Sequence, residues 1–391
     1  MPVETNPDSL RTADTERLHD AIVAQRRSTL LALEPLSAER WLGPCLPVVN
    51  PPLWEFGHVG WFHERWCLRE RGEQTPADSV LPDADTLYDS TPVKHNTRWG
   101  LPLLSPEATH DYLETVLQLS LDRLQVMSDD DPAIYFHRLS LFHEMMHREA
   151  FCYSWHTKSY EKPTDLQDPQ PLEPNQWLSI PSGTVLVGSP RDSSFVFDNE
   201  KWAMPVSLDG FQIMNRVVSA GEFADFILDG GYQTPGFWPS DVWAQMEQSG
   251  ARLPAYWREQ SGRFQIRRFD QWHDLIPELP MTHVSQHEAA AWCQWAGWSL
   301  PSEAQWLHAE TTAGFSWGRV WEWTASVFEP LPGFSADPYK EYAEPWFHTH
   351  RVLKGASLAT PDGMRDARFR NFYEPWRADV FNGFRAVRPS R

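Results

Sequence analysis

Phe142-His143-Glu144-Met145-Met146-His147-Arg148-Glu149-Ala150 is the stretch from which the fold of this chain can be read. Two histidines four residues apart lie about 40° apart around an α-helix, one turn above one another, so both rings reach one point in space. A helix can offer two ligands to a single metal ion in this way. Asp131-Pro132 supplies an N-cap and a proline at the first helical position, and nothing breaks the chain from Ala133 to Tyr153. Ile134, Leu139, Phe142, Met146 and Ala150 recur at helical spacing on the side of the two histidines, which therefore look inward. The plainer reading is a pair of hydrogen-bonded packing histidines. Desolvating two of them on one face is costly without a shared partner, which favours metal binding.

His143 to His147 also spell His-Glu-Met-Met-His, the H-E-x-x-H pattern of zinc peptidases, in which the glutamate is general base. The extended form of that motif needs a glycine at 150 and a histidine at 153, where this chain has Ala150 and Tyr153. A third ligand farther along would have to come from residues 154–176, which are polar and rich in proline. The peptidase is the rival expectation.

Upstream, Pro51-Pro52 opens a second helix through Trp66, with Trp54, His58, Trp61 and Phe62 as its inward face. His58 is thus the third candidate ligand, while His63, about 140° further around, points elsewhere. Residues 14–33 carry Leu18, Ala21, Ile22 and Leu33 on one side, and Ser105-Pro106-Glu107 opens a helix whose buried stripe is Leu113, Val116, Leu117, Ser120 and Leu124. Four helices over residues 14–158 suggest a four-helix bundle with a metal site between facing helices. The connection over residues 83–104 exceeds a bundle turn, so its Arg98 is a candidate to bind a substrate carboxylate; a surface arginine is the alternative.

A chain of 391 residues and 45.2 kDa exceeds one comfortable core, so two domains are expected: residues 1–158, a linker over 159–176, and residues 177–391. A formal charge of −19 with scattered lysine and arginine speaks against nucleic-acid and membrane-surface partners. Residues 1–11 do not resemble a signal peptide and no run of about 18 apolar residues exists, so a soluble, cytoplasmic protein is expected, monomeric or homo-oligomeric. Cys45, Cys67, Cys152 and Cys293 lie far apart and read as buried free thiols. With 21 tryptophans and 33 prolines, a compact and loop-rich fold is expected. Past the four prolines of residues 158–176, short apolar runs at 183–188 and 206–213 read as strands, and 219–228 and 287–295 as short helices, which makes the second domain α+β.

That second half resembles the formylglycine-generating-enzyme/sulfatase-modifying domain, a C-type-lectin-like fold. Phe197-Asp198-Asn199-Glu200, Val217-Val218-Ser219-Ala220-Gly221-Glu222-Phe223, Gly230-Gly231-Tyr232, Leu300-Pro301-Ser302-Glu303-Ala304-Gln305-Trp306, Val320-Trp321-Glu322-Trp323-Thr324-Ala325-Ser326 and Gly383-Phe384-Arg385 carry the resemblance. The oxidase of that superfamily holds copper with a cysteine pair in its C-terminal part. Here Cys293 is the last cysteine, so the domain is expected to be a scaffold or substrate wall.

A DinB-like bundle with His58 in Gly57-His58-Val59-Gly60, then H-x-x-x-H-x-E, then this domain, together resemble the iron(II)-dependent sulfoxide synthases of ergothioneine biosynthesis. The resemblance implies that His58, His143 and His147 hold Fe(II), leaving positions for substrate and dioxygen; three histidines alone would suit zinc equally well. Glu149, about 200° around the helix from His147, is given a supporting hydrogen-bonding role. The family joins hercynine, a trimethylated histidine, to a sulfur donor at carbon 2 of the imidazole ring.

Its substrate pattern R-N-W-D-x-P-x-R resembles Arg370-Asn371-Phe372-Tyr373-Glu374-Pro375-Trp376-Arg377. Asn371 and Arg377 match, Phe372 keeps an aromatic, and Tyr373 replaces an aspartate that helps to bind the amino-acid part of the donor. Met146 stands where glutamine is common, and Gly355-Ala356-Ser357-Leu358 where relatives tend to have Gly-Gly-Ser-Trp. These departures point to the selenoneine synthase branch, which joins a selenosugar to hercynine. Phe372, Tyr373 and Trp376 would offer a sugar an aromatic, hydrogen-bonding surface; a cysteine or γ-glutamylcysteine donor is the alternative. A tyrosine that delivers a proton is also implied, with Tyr339, Tyr342 and Tyr373 as candidates. A non-catalytic binding protein with a lectin-like recognition face stays open as a third class.

Overall fold

The computed structural model describes residues 8–70, 78–191 and 195–390, so the reading of residues 1–11 falls largely outside it. The chain forms two compact units. The first comprises Met1–Pro163 with Ser193–Phe195 and Thr360–Met364; the second comprises Thr164–Asp192, Val196–Ala359 and Arg365–Arg391.

Among the described residues four long helices dominate the first unit: α1 (Thr15–Leu33), α2 (Pro52–Glu64), α3 (Pro106–Gln125) and α4 (Ile134–Lys158). Asp14 caps α1 by accepting the Arg17 N–H, and Ser105 caps α3 through Ala108. The expected stripe of α3, from Leu113 to Leu124, is buried. Every residue of α2 is buried, as befits a helix apolar nearly all round and packed against α3, α4 and the short helix Ala84–Tyr88. Two glycines let its neighbours in: a Cβ on Gly57 would meet the Tyr88 ring at 2.2 Å, and one on Gly60 would meet Leu113 at 2.6 Å.

The structure corrects several details. Helix α4 begins at Ile134, two residues after the expected first position Pro132, because Asp131 spends its carboxylate on the Ala133 N–H in a preceding turn. It runs on to Lys158, where Ser159 turns left-handed at φ 57°. The connection over 83–104 is partly helical, at Ala84–Tyr88 and His95–Gly100. Cys45 is exposed, unlike the other three cysteines, because it lies in an irregular stretch ahead of α2.

The second unit is α+β. Strands β1 (Trp177–Ile180), β4 (Phe211–Met214) and β12 (Val387–Pro389) form one sheet in the order β1-β4-β12, and β2 (Gly183–Val187) pairs with β3 (Met204–Leu208). The run at 206–213 is therefore two strands, parted by a turn at Asp209-Gly210. Strands β5 (Trp257–Gln260), β6 (Arg263–Arg268) and β7 (Gln271–Asp274) form a meander that polar sequence concealed. The fourth sheet runs β10 (Asn371–Tyr373), β9 (Arg351–Gly355), β8 (Trp321–Val327), β11 (Asn382–Gly383). Capping boxes open α5 (Ala220–Leu228), α7 (Gln286–Trp295) and α8 (Glu303–Glu310), through Ser219/Glu222, Ser285/Glu288 and Ser302/Gln305; α6 is Ser240–Ser249. Trp306, Trp321 and Trp323 are fully buried, around an ion pair in which Arg385 meets Glu322 with neither side chain exposed. Among the described residues no helix is long and apolar enough to cross a membrane.

Candidate metal centre

In the first unit α2 brings His58 to the His143 and His147 of α4, and one nitrogen from each ring lies within 4.8 Å of the others. The ring centroids are 5.1 Å (His58 to His143), 5.0 Å (His58 to His147) and 4.5 Å (His143 to His147) apart. The Nε2 atoms of His143 and His147 stand 3.2 Å apart. Two nitrogens each about 2.1 Å from one ion would be separated by roughly 3.0 to 3.4 Å, so the pair has the spacing of adjacent ligands.

The groups behind the rings fix which nitrogen faces inward. The Tyr88 carbonyl, 2.8 Å from His58 Nδ1, can only accept, so the proton sits there and the Nε2 lone pair is free. His147 Nδ1 donates in the same way to Glu55 Oε1 at 2.7 Å. His143 lies flat on Phe62, with centroids 3.5 Å apart and planes 5° apart. Burial first, then the neighbouring His147, holds His58 and His143 well below the usual histidine pKa, so both are neutral, as a metal ligand must be. Donor type, spacing and protonation all fit a divalent transition ion.

The remaining motif residues look away. Glu144, only 4% exposed, is paired with Arg26 through Nε at 2.9 Å and Nη2 at 3.0 Å. His63 donates to the Ser120 hydroxyl at 2.9 Å and accepts from Arg26 at 3.3 Å. Glu149 accepts from the Thr360 hydroxyl at 2.9 Å. Met146 sits half-buried on α4 between Met145 and His147. Arg98 lies 3.7 Å over the Trp54 ring and donates to Asn50 Oδ1 at 2.6 Å and the Val93 carbonyl at 3.1 Å; burial lowers its pKa to about 10.

The second unit gathers the other candidates. Asn371 heads β10, and its side chain accepts the Phe372 N–H. Phe372 stacks on Phe328 at 4.1 Å and meets Tyr342 at 5.9 Å, with Tyr339 a further 6.2 Å on. Tyr373 pairs in register with Arg351 and lies under Arg377 at 5.1 Å. Arg377 grips Asp379 with two nitrogens at 2.5 and 2.6 Å, and Trp376 is 51% exposed.

Sequence reasoning missed Glu55, Asn50, Lys158 and His350. Glu55 did leave a signal, a lone carboxylate inside the apolar run Leu53-Trp54-Glu55-Phe56, where only a buried partner makes sense. His350 lies 5.9 Å from Phe372 and is held below its ordinary pKa by burial.

Residues 21–151 match the DinB superfamily, and residues 163–319 match the sulfatase-modifying factor enzyme 1-like domain. A hercynine oxygenase of Mycolicibacterium smegmatis is 30% identical, over 95% of this chain and 98% of that one. One from Mycobacterium tuberculosis is 29% identical, over 87% and 91%. The formylglycine-generating enzyme of Bos taurus is 28% identical over 39% of this chain and 44% of its own.

Proposed function

Because the chain belongs to the hercynine oxygenase family, an oxygen-dependent group of oxidoreductases, we propose that it binds Fe(II) through His58, His143 and His147 and joins hercynine to a selenosugar. The observation that carries this is the convergence of three imidazoles, of which His58 and His147 have their outer nitrogens committed to a backbone carbonyl and a carboxylate. Iron held there by His58, His143 and His147 would supply a place where dioxygen could be reduced beside both organic substrates, and holding the reactants together would lower the barrier by proximity.

The balance is simple. Carbon 2 of hercynine exchanges its C–H bond for a carbon–chalcogen bond, one atom of dioxygen ends on the chalcogen, and the other leaves as water with both displaced hydrogens. Tyr339 or Tyr373 is the proposed proton donor. Asn371, Phe372, Tyr373, Trp376 and Arg377 are the proposed donor-binding set, with Met146 beside the ligands and Arg98 for the carboxylate of hercynine. The neutral Tyr373 and the internally paired Arg377 support an uncharged donor over an amino acid, whose ammonium and carboxylate both ask for opposite charges.

Glu144 speaks against the peptidase, since a general base must reach the metal-bound water and this carboxylate is spent on buried Arg26. The test is to incubate iron-loaded protein in air with hercynine and, separately, a selenosugar, cysteine and γ-glutamylcysteine, and to weigh the products. A selenosugar adduct supports the reading. Adducts from the thiols alone would move the chain to the sulfur branch, and no adduct at all would leave it without this chemistry.

A further inference from the structure

Glu55 is the least expected residue of the first unit: a carboxylate 3% exposed, in the first turn of a helix buried on every side. Such a group is expensive unless its oxygens are answered. Oε1 accepts from His147 Nδ1 at 2.7 Å, and Oε2 from Asn50 Nδ2 at 3.4 Å. Lys158, which donates to the Asn50 carbonyl at 2.8 Å, and Arg98 both bear on Glu55 electrostatically, so its charge is matched from two sides.

Asn50 does three jobs at once. Its amide nitrogen reaches Glu55, its amide oxygen takes Arg98 Nη1 at 2.6 Å, and its carbonyl takes Lys158. It directly precedes Pro51-Pro52, and a residue before proline is confined to extended backbone, which stiffens this support. From Arg98 the contacts return to the ligands: the guanidinium lies 3.7 Å over Trp54, and Trp54 stacks on His58 at 5.0 Å with planes 10° apart.

We propose that Glu55, gripped by Asn50, is the positioning residue for the metal ligand His147, within one closed ring of contacts: His58, Trp54, Arg98, Asn50, Glu55, His147. The ring sets a ligand of α2 against a ligand of α4. A carboxylate behind an imidazole fixes its tautomer and makes the inner nitrogen a stronger donor, whereas His58 leans only on a neutral carbonyl. His147 is therefore a stronger donor than His58. This rests on the three histidines being metal ligands.

The test uses the full chain, stripped of metal and titrated with cobalt(II) against a chromogenic chelator, comparing wild type with Glu55→Gln, Asn50→Ala and His147→Ala. Glu55→Gln is expected to weaken cobalt binding by the folded protein about 10- to 100-fold and to shift the visible cobalt absorption. Asn50→Ala, on a loop, is expected to lose less in the same direction. Wild-type affinity and spectrum in Glu55→Gln would overturn the proposal, and should that variant not fold, wild-type affinity in Asn50→Ala would do so. If wild type holds cobalt no better than His147→Ala, it is the metal reading itself that fails.

Discussion

Tyr373 and Glu144 each replace or reuse a familiar motif position, and each makes a prediction. Restoring a charge with Tyr373→Asp should shift preference from selenosugar towards cysteine-type donors by roughly 10- to 100-fold, the worth of a hydrogen bond to a charged group; competition between donors, read by mass spectrometry, checks it. Glu144→Gln leaves the Arg26 guanidinium buried with a neutral partner. Breaking a buried pair costs roughly 3–5 kcal/mol, so chemical denaturation should show a large loss of stability while the cobalt affinity of the folded protein stays. Loss of metal without loss of stability would contradict this placement. His58 was legible because it shares an apolar stripe with Trp54 and Trp61; Asn50 was not, since its three partners lie on Glu55, Arg98 and Lys158, at separations from 5 to 108 residues.

Helices announced themselves through their caps and stripes. Ser105-Pro106 and the S-x-x-E pair Ser219/Glu222 open helices within a residue of where sequence puts them. The meander β5-β6-β7 carries charge on faces half open to water and so lacks the alternation that marks a strand. On α2 burial extends beyond the expected inward face of Trp54, His58, Trp61 and Phe62 to every side, and the glycines mark where its neighbours close in. Gly60→Ala would drive a methyl into Leu113, so α2 and α3 must part. Overpacking of this kind costs about 1–3 kcal/mol; the melting temperature should fall, and metal affinity with it, because α2 carries His58. An unchanged melt would mean that Leu113 simply moves aside.

For the whole molecule, the division into a helical bundle and an α+β unit followed from composition and punctuation along the chain. Which distant segments join which unit did not, because a five-residue stretch leaves no periodic trace. Thr360–Met364 belongs to the first unit, where Thr360 donates to buried Glu149. Thr360→Val should therefore cost about 1 kcal/mol, the net worth of one buried hydrogen bond, measurable by urea denaturation. Acid acts on the second unit through His283, whose pKa burial depresses to about 3. Unfolded histidine takes its proton near 6.5 while the folded one stays neutral, so stability is full above that pH and falls as pH drops towards 3. His283→Phe should flatten that acid limb in melts recorded between pH 7 and 4, and an unaltered slope would assign the sensitivity elsewhere.

The return of Thr360–Met364 to the bundle also sets a timetable. Roughly 200 residues separate it from Pro163, and at about 5–20 residues per second a ribosome needs about 10–40 s to supply it. During that interval the nascent bundle already has all three histidines but not its closing segment. A newly made chain thus waits with its bundle one segment short until Thr360–Met364 has been synthesised.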